Sequence, residues 1–367
     1  MKKVLFVSHV ANFVKFNKPF MQWFKEQGYE VHYASMGEEE IDCDKVYKVP
    51  FARSPLSLSN ISAFRELKSI MNRERYDLVH CHTPMGGVVA RLAAAATNTA
   101  PVIYTAHGFH FYKGASALNM LVYKNVERWL AKKTDALVTI NSEDYEAANT
   151  FTMREKGKVY LIPGVGVDFS SIQSAKIDKK RKCEEFEIMP DSYIMLMTSE
   201  FIKRKNHKTA VEAFKKANIP NSILLLCGKG QREAEIKQFT KDLDIYNRVR
   251  FLGYRKDISE IVNISDVFLF PSFQEGLPVS VMEAMAAGIP VVCSDVRGNR
   301  DLINENGGFL SSPTDVDGFA DNLRLIATDN ELSEKMGNYN REKAKLYTKE
   351  VAVENMAKIY NEVIARS

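Results

Sequence analysis

The chain has 367 residues, 45% of them apolar and 26% charged, with a formal net charge of +4. That length is enough for two domains of about 150 residues each, and the composition is that of an ordinary globular protein. It excludes a dedicated nucleic-acid binder, a disordered chain and, for want of any run of about 18 apolar residues, a membrane-spanning one.

The charge is unevenly spread. Met1 to Val165 carries 21 Lys and Arg against 16 Asp and Glu, a balance of +5, and the remaining residues carry 29 against 30, or −1. A basic first half suits an anionic lipid surface or an anionic acceptor, or else is a solvated face. Cys43, Cys81, Cys183, Cys227 and Cys293 are dispersed without a CxxC pair, and Cys227 and Cys293 end apolar runs. This implies reduced thiols and a cytoplasmic setting. The opening MKKVLFVSHVA has a short apolar run interrupted by His9 and reads as a first buried strand, not a signal peptide.

In chain order, short apolar runs alternate with amphipathic stretches, the signature of βαβ units around a parallel sheet. The first half offers strands at 4–8, 31–35, 78–82, 102–106, 136–140 and 159–163, and helices at 15–27, 60–75, 87–97, 117–133 and 142–154. The alternation breaks in the charged stretch 176–188. It resumes with strands at 193–199, 222–228, 249–253, 267–271 and 291–294 and helices at 206–217, 231–243, 257–263, 278–287 and 315–328. Two doubly wound α/β domains are therefore expected, 1–165 and 166–347, with a helix at 348–367 crossing back to the first. Ligands bind such sheets beyond the carboxyl ends of the strands.

The stretch VFLFPSFQEGLPVSVMEAMAAGIPVVCS (267–294) runs strand, loop, helix, strand. Pro278 suits a first helical turn, and Gly288 with Pro290 closes the helix. The amides of Gly276 and Leu277, with the helix N-terminus behind them, make an anion cradle carrying roughly half a positive charge. Glu275 and Glu283 flank it, and a carboxylate accepts two hydrogen bonds from a vicinal diol, as in a sugar or ribose.

The spacing of these two acids, with GLP after the first and EAMAAGxPVV around the second, resembles the donor signature of family 4 glycosyltransferases, which are retaining enzymes of GT-B architecture. HCHTPMGG (80–87), YTAHGFHFYKG (104–114) and VRGNRDLI (296–303) are similar to a subgroup that builds bacterial capsular and exopolysaccharides. The resemblance implies two Rossmann-like domains facing across a cleft. It implies that Glu283 binds the nucleotide ribose, and that Glu275 with the following backbone binds the donor sugar.

It also implies a cationic diphosphate site in SEFIKRKNH (199–207), after the strand YIMLMT. Lys205 fills the family's Lys position. The usual Arg position holds Glu200, so Arg204 or Lys203 is expected to supply the second cation. His107, at the mouth of the strand VIYTA, matches a family His that touches the donor sugar. His110 packs structurally or faces the acceptor. Ser199 and Gly228, the latter in GKG (228–230), fall near the donor phosphate or base, and RFLGYRKD (250–257) resembles the base-contact segment.

Other features read more plainly. His80 and His82 share a strand face but have no third ligand at a telling spacing, and no metal site is expected. DCD (42–44) is a solvated acidic turn. The first βα turn, SHVANFVKF, lacks the family's Gly-rich loop, and Gly86 and Gly87 are candidates for that close backbone approach. Phe13, Phe16, Phe20, Trp23 and Phe24 recur at helical spacing near Lys15, Lys18 and Lys25, as a core stripe or a membrane-inserting one. Arg53 is a candidate contact for an acceptor phosphate.

The expected activity is transfer of a hexose or N-acetylhexosamine from a UDP-sugar to an oligosaccharide or lipid-linked acceptor in surface-glycan synthesis. No metal or other cofactor is needed, and the inner face of the cytoplasmic membrane is a possible partner. A nucleotide-sugar 2-epimerase of the same fold and a degenerate, non-catalytic nucleotide binder are the alternatives.

Overall fold

Apolar runs of four to six residues, buried on both faces, form parallel strands when helices can cover each side of the sheet. The computed structural model describes residues 1–37 and 39–366. The first half supplies β1 (Lys3–Val7), α1 (Val14–Glu26), β2 (Glu30–Ser35), β3 (Lys45–Lys48), α2 (Ser59–Glu74), β4 (Leu78–His82) and α3 (Pro84–Thr97). It continues through β5 (Val102–Ala106), α4 (Ala117–Ala131), β6 (Ala136–Thr139), α5 (Ser142–Ala148) and β7 (Lys158–Leu161). Among the described residues these strands form one parallel sheet in the order β3-β2-β1-β4-β5-β6-β7. The strand order reverses at β1 and β4, whose carboxyl ends pair side by side with Val7 opposite Cys81. A crevice opens at such a reversal.

The second half gives α6 (Phe169–Gln173), α7 (Lys179–Glu185), β8 (Tyr193–Thr198), α8 (His207–Ala217), β9 (Ser222–Cys227), α9 (Glu233–Asp242) and β10 (Val249–Gly253). It goes on with α10 (Ile258–Asn263), β11 (Val267–Phe270), α11 (Val279–Ala287), β12 (Val291–Ser294), α12 (Asn299–Leu302), β13 (Gly308–Ser311), α13 (Val316–Thr328) and α14 (Asn330–Ala344). Its parallel sheet has the order β10-β9-β8-β11-β12-β13, reversing between β8 and β11. The last helix, α15 (Lys349–Ala365), rejoins the first sheet. The chain thus divides into Met1–Val165 with Lys349–Ser367, and Gly166–Thr348.

Several elements differ from the sequence expectation. β3 is mostly exposed (KVYK) and β13 begins on the second glycine of Gly307–Gly308 (GFLS), so neither has the apolar run that announces a strand. The charged stretch 176–188 contains α7, where Lys182 and Cys183 are buried. Lys182 forms ion pairs with Asp257, Glu260 and Glu185, which offset the cost of burying its ammonium. Pro278 caps α11 from outside the helix instead of opening it.

The Phe20–Phe24 part of the aromatic stripe is core, whereas Phe13 and Phe16 are half-buried. Phe20 and Phe24 are buried, and Trp23 stacks on Tyr360 of α15 with ring centroids 5.2 Å apart. Aromatic side chains packed this way bury large apolar areas. Gly86 and Gly87 are likewise committed to packing: a Cβ on Gly86 would lie 2.9 Å from the His9 amide nitrogen, and one on Gly87 2.4 Å from the Tyr104 ring. In the DCD turn, Asp42 accepts from Lys25 Nζ at 2.7 Å and Asp44 from the Val31 amide at 2.7 Å.

Candidate functional site

Two clusters stand at the strand-order reversals, one in each unit. In the second unit, β8 ends at Thr198 and β11 at Phe270. The loop after β8 carries Lys203, Arg204 and Lys205 in a single tight turn, and Asn206 then adopts a left-handed conformation (φ 54°) that redirects the chain into α8. Asn tolerates this region through its short polar side chain. The buried Asn206 side chain donates to the carbonyls of Pro271 and Pro313 at 2.9 and 2.7 Å. The Phe273 amide donates to the Arg204 carbonyl at 2.9 Å. These bonds stitch the basic turn to the loop after β11.

Cations and carboxylate therefore meet. Lys205 Nζ donates to Glu275 Oε1 at 2.7 Å, and Arg204 Nη1 lies 3.3 Å from the same oxygen. Arg204 Nη1 also donates to the Gln274 carbonyl at 2.8 Å. The Lys205 and Glu275 side chains are 13% and 6% exposed. The Lys205 ammonium lies over the Phe270 ring, 4.8 Å from its centroid. Burial pulls the Lys205 ammonium below its ordinary range, while Glu275 acts in the opposite direction. Two fixed cations within reach of one largely dry carboxylate leave a local excess of positive charge, suited to an anionic ligand.

The backbone around this cluster is crowded. Gly298 (φ 77°) lies so close to the Gly276 carbonyl that a Cβ would approach its oxygen to 2.3 Å. Next to it, the buried Arg297 donates from Nε to the Glu275 carbonyl at 3.0 Å. Gly228 presses against the Ser199 carbonyl, where a Cβ would come to 1.9 Å. Ser199 Oγ shares a hydrogen bond of 3.1 Å with His207 Nε2. The GKG glycines thus hold the loop after β9 against Ser199 and Phe201. Leu277 is buried and Glu283 is half-buried within α11.

In the first unit the second cluster is aromatic. The carboxyl ends of β4 and β5 are paired, with His82 opposite Thr105, so residues 23 positions apart stand side by side and His107, two residues beyond, comes within reach of His82. His82 Nδ1 and His107 Nε2 are 3.1 Å apart. His80, fully buried, bonds Thr105 Oγ1 through Nε2 at 2.8 Å and the Tyr360 hydroxyl through Nδ1 at 2.8 Å. Both of its nitrogens are thus committed within the protein. The Phe13 ring meets His107 edge-on, 4.8 Å between centroids, and the Phe6 ring stacks over His82 at 6.2 Å. Burial pushes the pKa of His107 down to about 4 and of His80 to about 3, and that of His82 falls well below its ordinary value for the same reason. All three are neutral near pH 7, so His107 is an uncharged hydrogen-bonding group.

The loop after β5 is held by α5: the Phe109 amide donates to Asp144 at 3.0 Å and the Lys113 amide to Glu143 at 2.7 Å. His110 is exposed beside the Tyr123 ring, and Arg53 is exposed near His9.

Of the residues singled out in the sequence, Lys205, Arg204, Glu275 and Gly276 come together, as do Ser199 and Gly228. His107 belongs to the other unit and has His82 as its partner. Arg297 and Asn206 were not anticipated as supports of the Glu275 loop; VRGNRDLI was noticed only as a resemblance. The pairing of His82 with His107 depends on strand register, which the sequence does not display.

The pattern described as "Glycosyl transferases group 1" matches residues 178–343, and "Glycosyl transferase 4-like" matches residues 3–141. The chain is 38% identical over 368 residues to the putative glycosyltransferase EpsD of Bacillus subtilis, covering 98% of this chain and 96% of the relative. It is 32% identical over 293 residues to UDP-Gal:alpha-D-GlcNAc-diphosphoundecaprenol alpha-1,3-galactosyltransferase of Escherichia coli, covering 76% and 75%. Anabaena Alr3699/HepE, solved in complex with UDP-glucose, matches the fold with a TM-score of 0.80 over 99% of this chain and 100% of that one, at 18% identity.

Proposed function

The chain belongs to the family 4 glycosyltransferases of GT-B fold, and from that premise we propose that it moves a sugar from a UDP donor to a lipid-linked saccharide with retention of configuration. The observation that carries this reading is the Lys205–Glu275–Arg204 cluster at the reversal between β8 and β11. In this reading, Lys205 and Arg204 take up charge on the leaving diphosphate, with the α11 amides beyond Gly276 and Leu277 as further donors. Arg204 stands in for the cation that Glu200 fails to supply. Glu275 then accepts from donor-sugar hydroxyls, Glu283 from the ribose, and Ser199 and Gly228 border the donor. His107 offers a neutral hydrogen bond to the sugar.

The E. coli relative's name specifies a UDP-galactose donor and a diphosphoundecaprenol acceptor, and the Anabaena structure holds UDP-glucose. Both support the donor class and the first supports a lipid-linked acceptor in surface-glycan synthesis. Incubation of the purified protein with UDP-sugars, with and without a diphosphoundecaprenol-linked acceptor, tests the proposal by mass spectrometry. Acceptor-dependent sugar transfer is expected. Conversion of donor without acceptor means an epimerase, and binding without turnover means a degenerate member; either refutes it. Because side-chain cations carry the leaving-group charge, transfer is expected to persist in excess EDTA.

A lipid acceptor requires access to a membrane, and α4 has the matching surface. Leu118, Leu121 and Trp129 are 69%, 65% and 50% exposed, with Val122 on the same face. Arg128 and Lys132 are exposed beside them, Lys133 lies over the Trp129 ring at 5.0 Å, and the helix's one acid, Glu127, is paired with Arg91. Apolar side chains flanked by cations fit an anionic interface. Co-sedimentation with phosphatidylglycerol vesicles at low salt is expected, and loss of it in Leu118→Asp/Leu121→Asp. Equal binding by the variant would refute the assignment to α4. No helix among the described residues is long and apolar enough to cross a membrane.

A further inference from the structure

The pairing of His82 with His107 settles more than proximity. His82 is fully buried, and its Nε2 is among the buried polar atoms that find no partner among the described residues. The rings of Phe6 and Phe13 lie against it, with centroids 6.2 and 5.7 Å away. On its remaining side His80 packs at 4.1 Å between ring centroids. Its Nδ1, by contrast, points at His107 Nε2, 3.1 Å away. The backbone leaving β4 is pinned as well: Thr83 has φ 64°, rare for a β-branched residue, and its hydroxyl accepts from the His9 amide at 3.0 Å.

A neutral imidazole has one proton and two places for it. With the proton on Nε2, His82 would bury an N–H against aromatic rings, the less tolerated form of unsatisfied group. With the proton on Nδ1, that N–H donates to His107, and the unpaired atom is only a lone pair. His107 Nε2 is then an acceptor, so the proton of His107 must sit on Nδ1, which makes no hydrogen bond among the described residues. We propose that His82 is a positioning residue that locks His107 in the Nδ1–H tautomer, so that His107 presents a hydrogen-bond donor, and not an acceptor, to an oxygen of the donor sugar. The sugar contact rests on the reading of the site given above; the tautomer does not.

The two parts are therefore tested separately. Two-bond 1H–15N correlation spectra of the histidine-labelled full chain at pH 7.5, with His107 assigned through His107→Gln, report the tautomer without any substrate. One Nδ1-protonated form of His107 is expected; an Nε2-protonated form, or a mixture, overturns the proposal. For turnover, His82→Asn keeps an amide N–H near the place of Nδ1, whereas His82→Gln carries its amide near the place of Nε2 and His82→Leu has none. The Asn variant is expected to keep kcat within about threefold, and Leu and Gln to lose about tenfold, the scale of one hydrogen bond, with donor KM little changed. The spectra of Leu and Gln should show His107 released to mixed tautomers. If Leu fails to fold, the comparison of Asn with Gln still decides. Equal kcat in Asn and Gln, or an unchanged His107 tautomer in Gln, overturns the role of His82. A single Nδ1–H form in a protein that transfers no sugar would uphold the tautomer and remove only the functional premise.

Discussion

Lys205→Met tests the central cluster most directly. Methionine keeps the length of the stem against the Phe270 ring and removes the ammonium, leaving the Glu275 carboxylate, 6% exposed, with Arg204 at 3.3 Å as its remaining cation. Removing one partner of a buried pair costs about 3–5 kcal/mol when the other charge is stranded. Arg204 relieves part of that, and the Lys205 ammonium is itself disfavoured by burial. A net loss of about 1–3 kcal/mol is therefore expected, a fall in melting temperature of about 3–10 °C for a unit of this size. Calorimetric melts of the parent, Lys205→Met, Glu275→Gln and the double variant measure it. Deleting both charges should recover about 1 kcal/mol or more of the single-variant loss. Under the proposed role of Lys205 at the leaving group, donor turnover should behave differently, falling about 100- to 1000-fold in Lys205→Met and staying down in the double variant. Turnover restored in the double variant would mean that Lys205 only neutralises Glu275. Absence of any coupling in the melts would mean that the ion pair does not exist in solution.

The remaining predictions concern other parts of the molecule. His80 is buried neutral, with its pKa lowered to about 3, so between about pH 6.5 and 3 the unfolded chain binds the proton that the folded one refuses. Stability should then fall as pH drops through this window, by up to about 1.4 kcal/mol per pH unit for such a histidine. Melts of the parent and His80→Gln between pH 7 and 5 should show a shallower loss in the variant, and parallel curves would contradict the assignment. Gly298→Ala places a Cβ 2.3 Å from the Gly276 oxygen at φ 77°, so the Glu275 loop must shift; a stability loss of about 1–3 kcal/mol is expected, with weaker UDP binding by calorimetry. Arg91, fully buried, donates from Nη1 to Glu127 at 2.8 Å and lies over the Tyr104 ring. Arg91→Met should cost about 3–5 kcal/mol in chemical denaturation, and Arg91→Met/Glu127→Leu distinctly less.

Much of the architecture was legible because period and length in the sequence map directly onto parallel strands and their covering helices. VIYTA and SILLLC could hardly be anything but buried strands. The short edge strand KVYK escaped notice because its neighbours on the outer side are solvent, which removes the demand for apolar side chains. The loop between β11 and α11 was legible because its elements lie within a few residues of each other. That Lys205 lies on Glu275 is a contact across 70 positions, created by the adjacency of β8 and β11, and the sequence signals each residue without the bond. The same holds for His82 and His107, brought together by the pairing of β4 with β5. The stripe on α1 was ambiguous in principle, since amphipathic spacing fits lipid and core equally; Tyr360, more than 300 residues later, decides it.

Tyr360 has a consequence for biosynthesis. The first sheet is closed over by α15, whose residues follow the whole of Gly166–Thr348 in the chain. A ribosome therefore releases β1 through β7 long before the side chain that fills the space beside Phe24 and bonds His80 has been made. Gly166–Thr348, contiguous in sequence, can complete its fold during translation, while the N-terminal sheet waits with an open aromatic seam. Nascent chains arrested before α15 should expose that seam to chaperones and proteases, and the first-born half of the molecule should be the last to become protease-resistant.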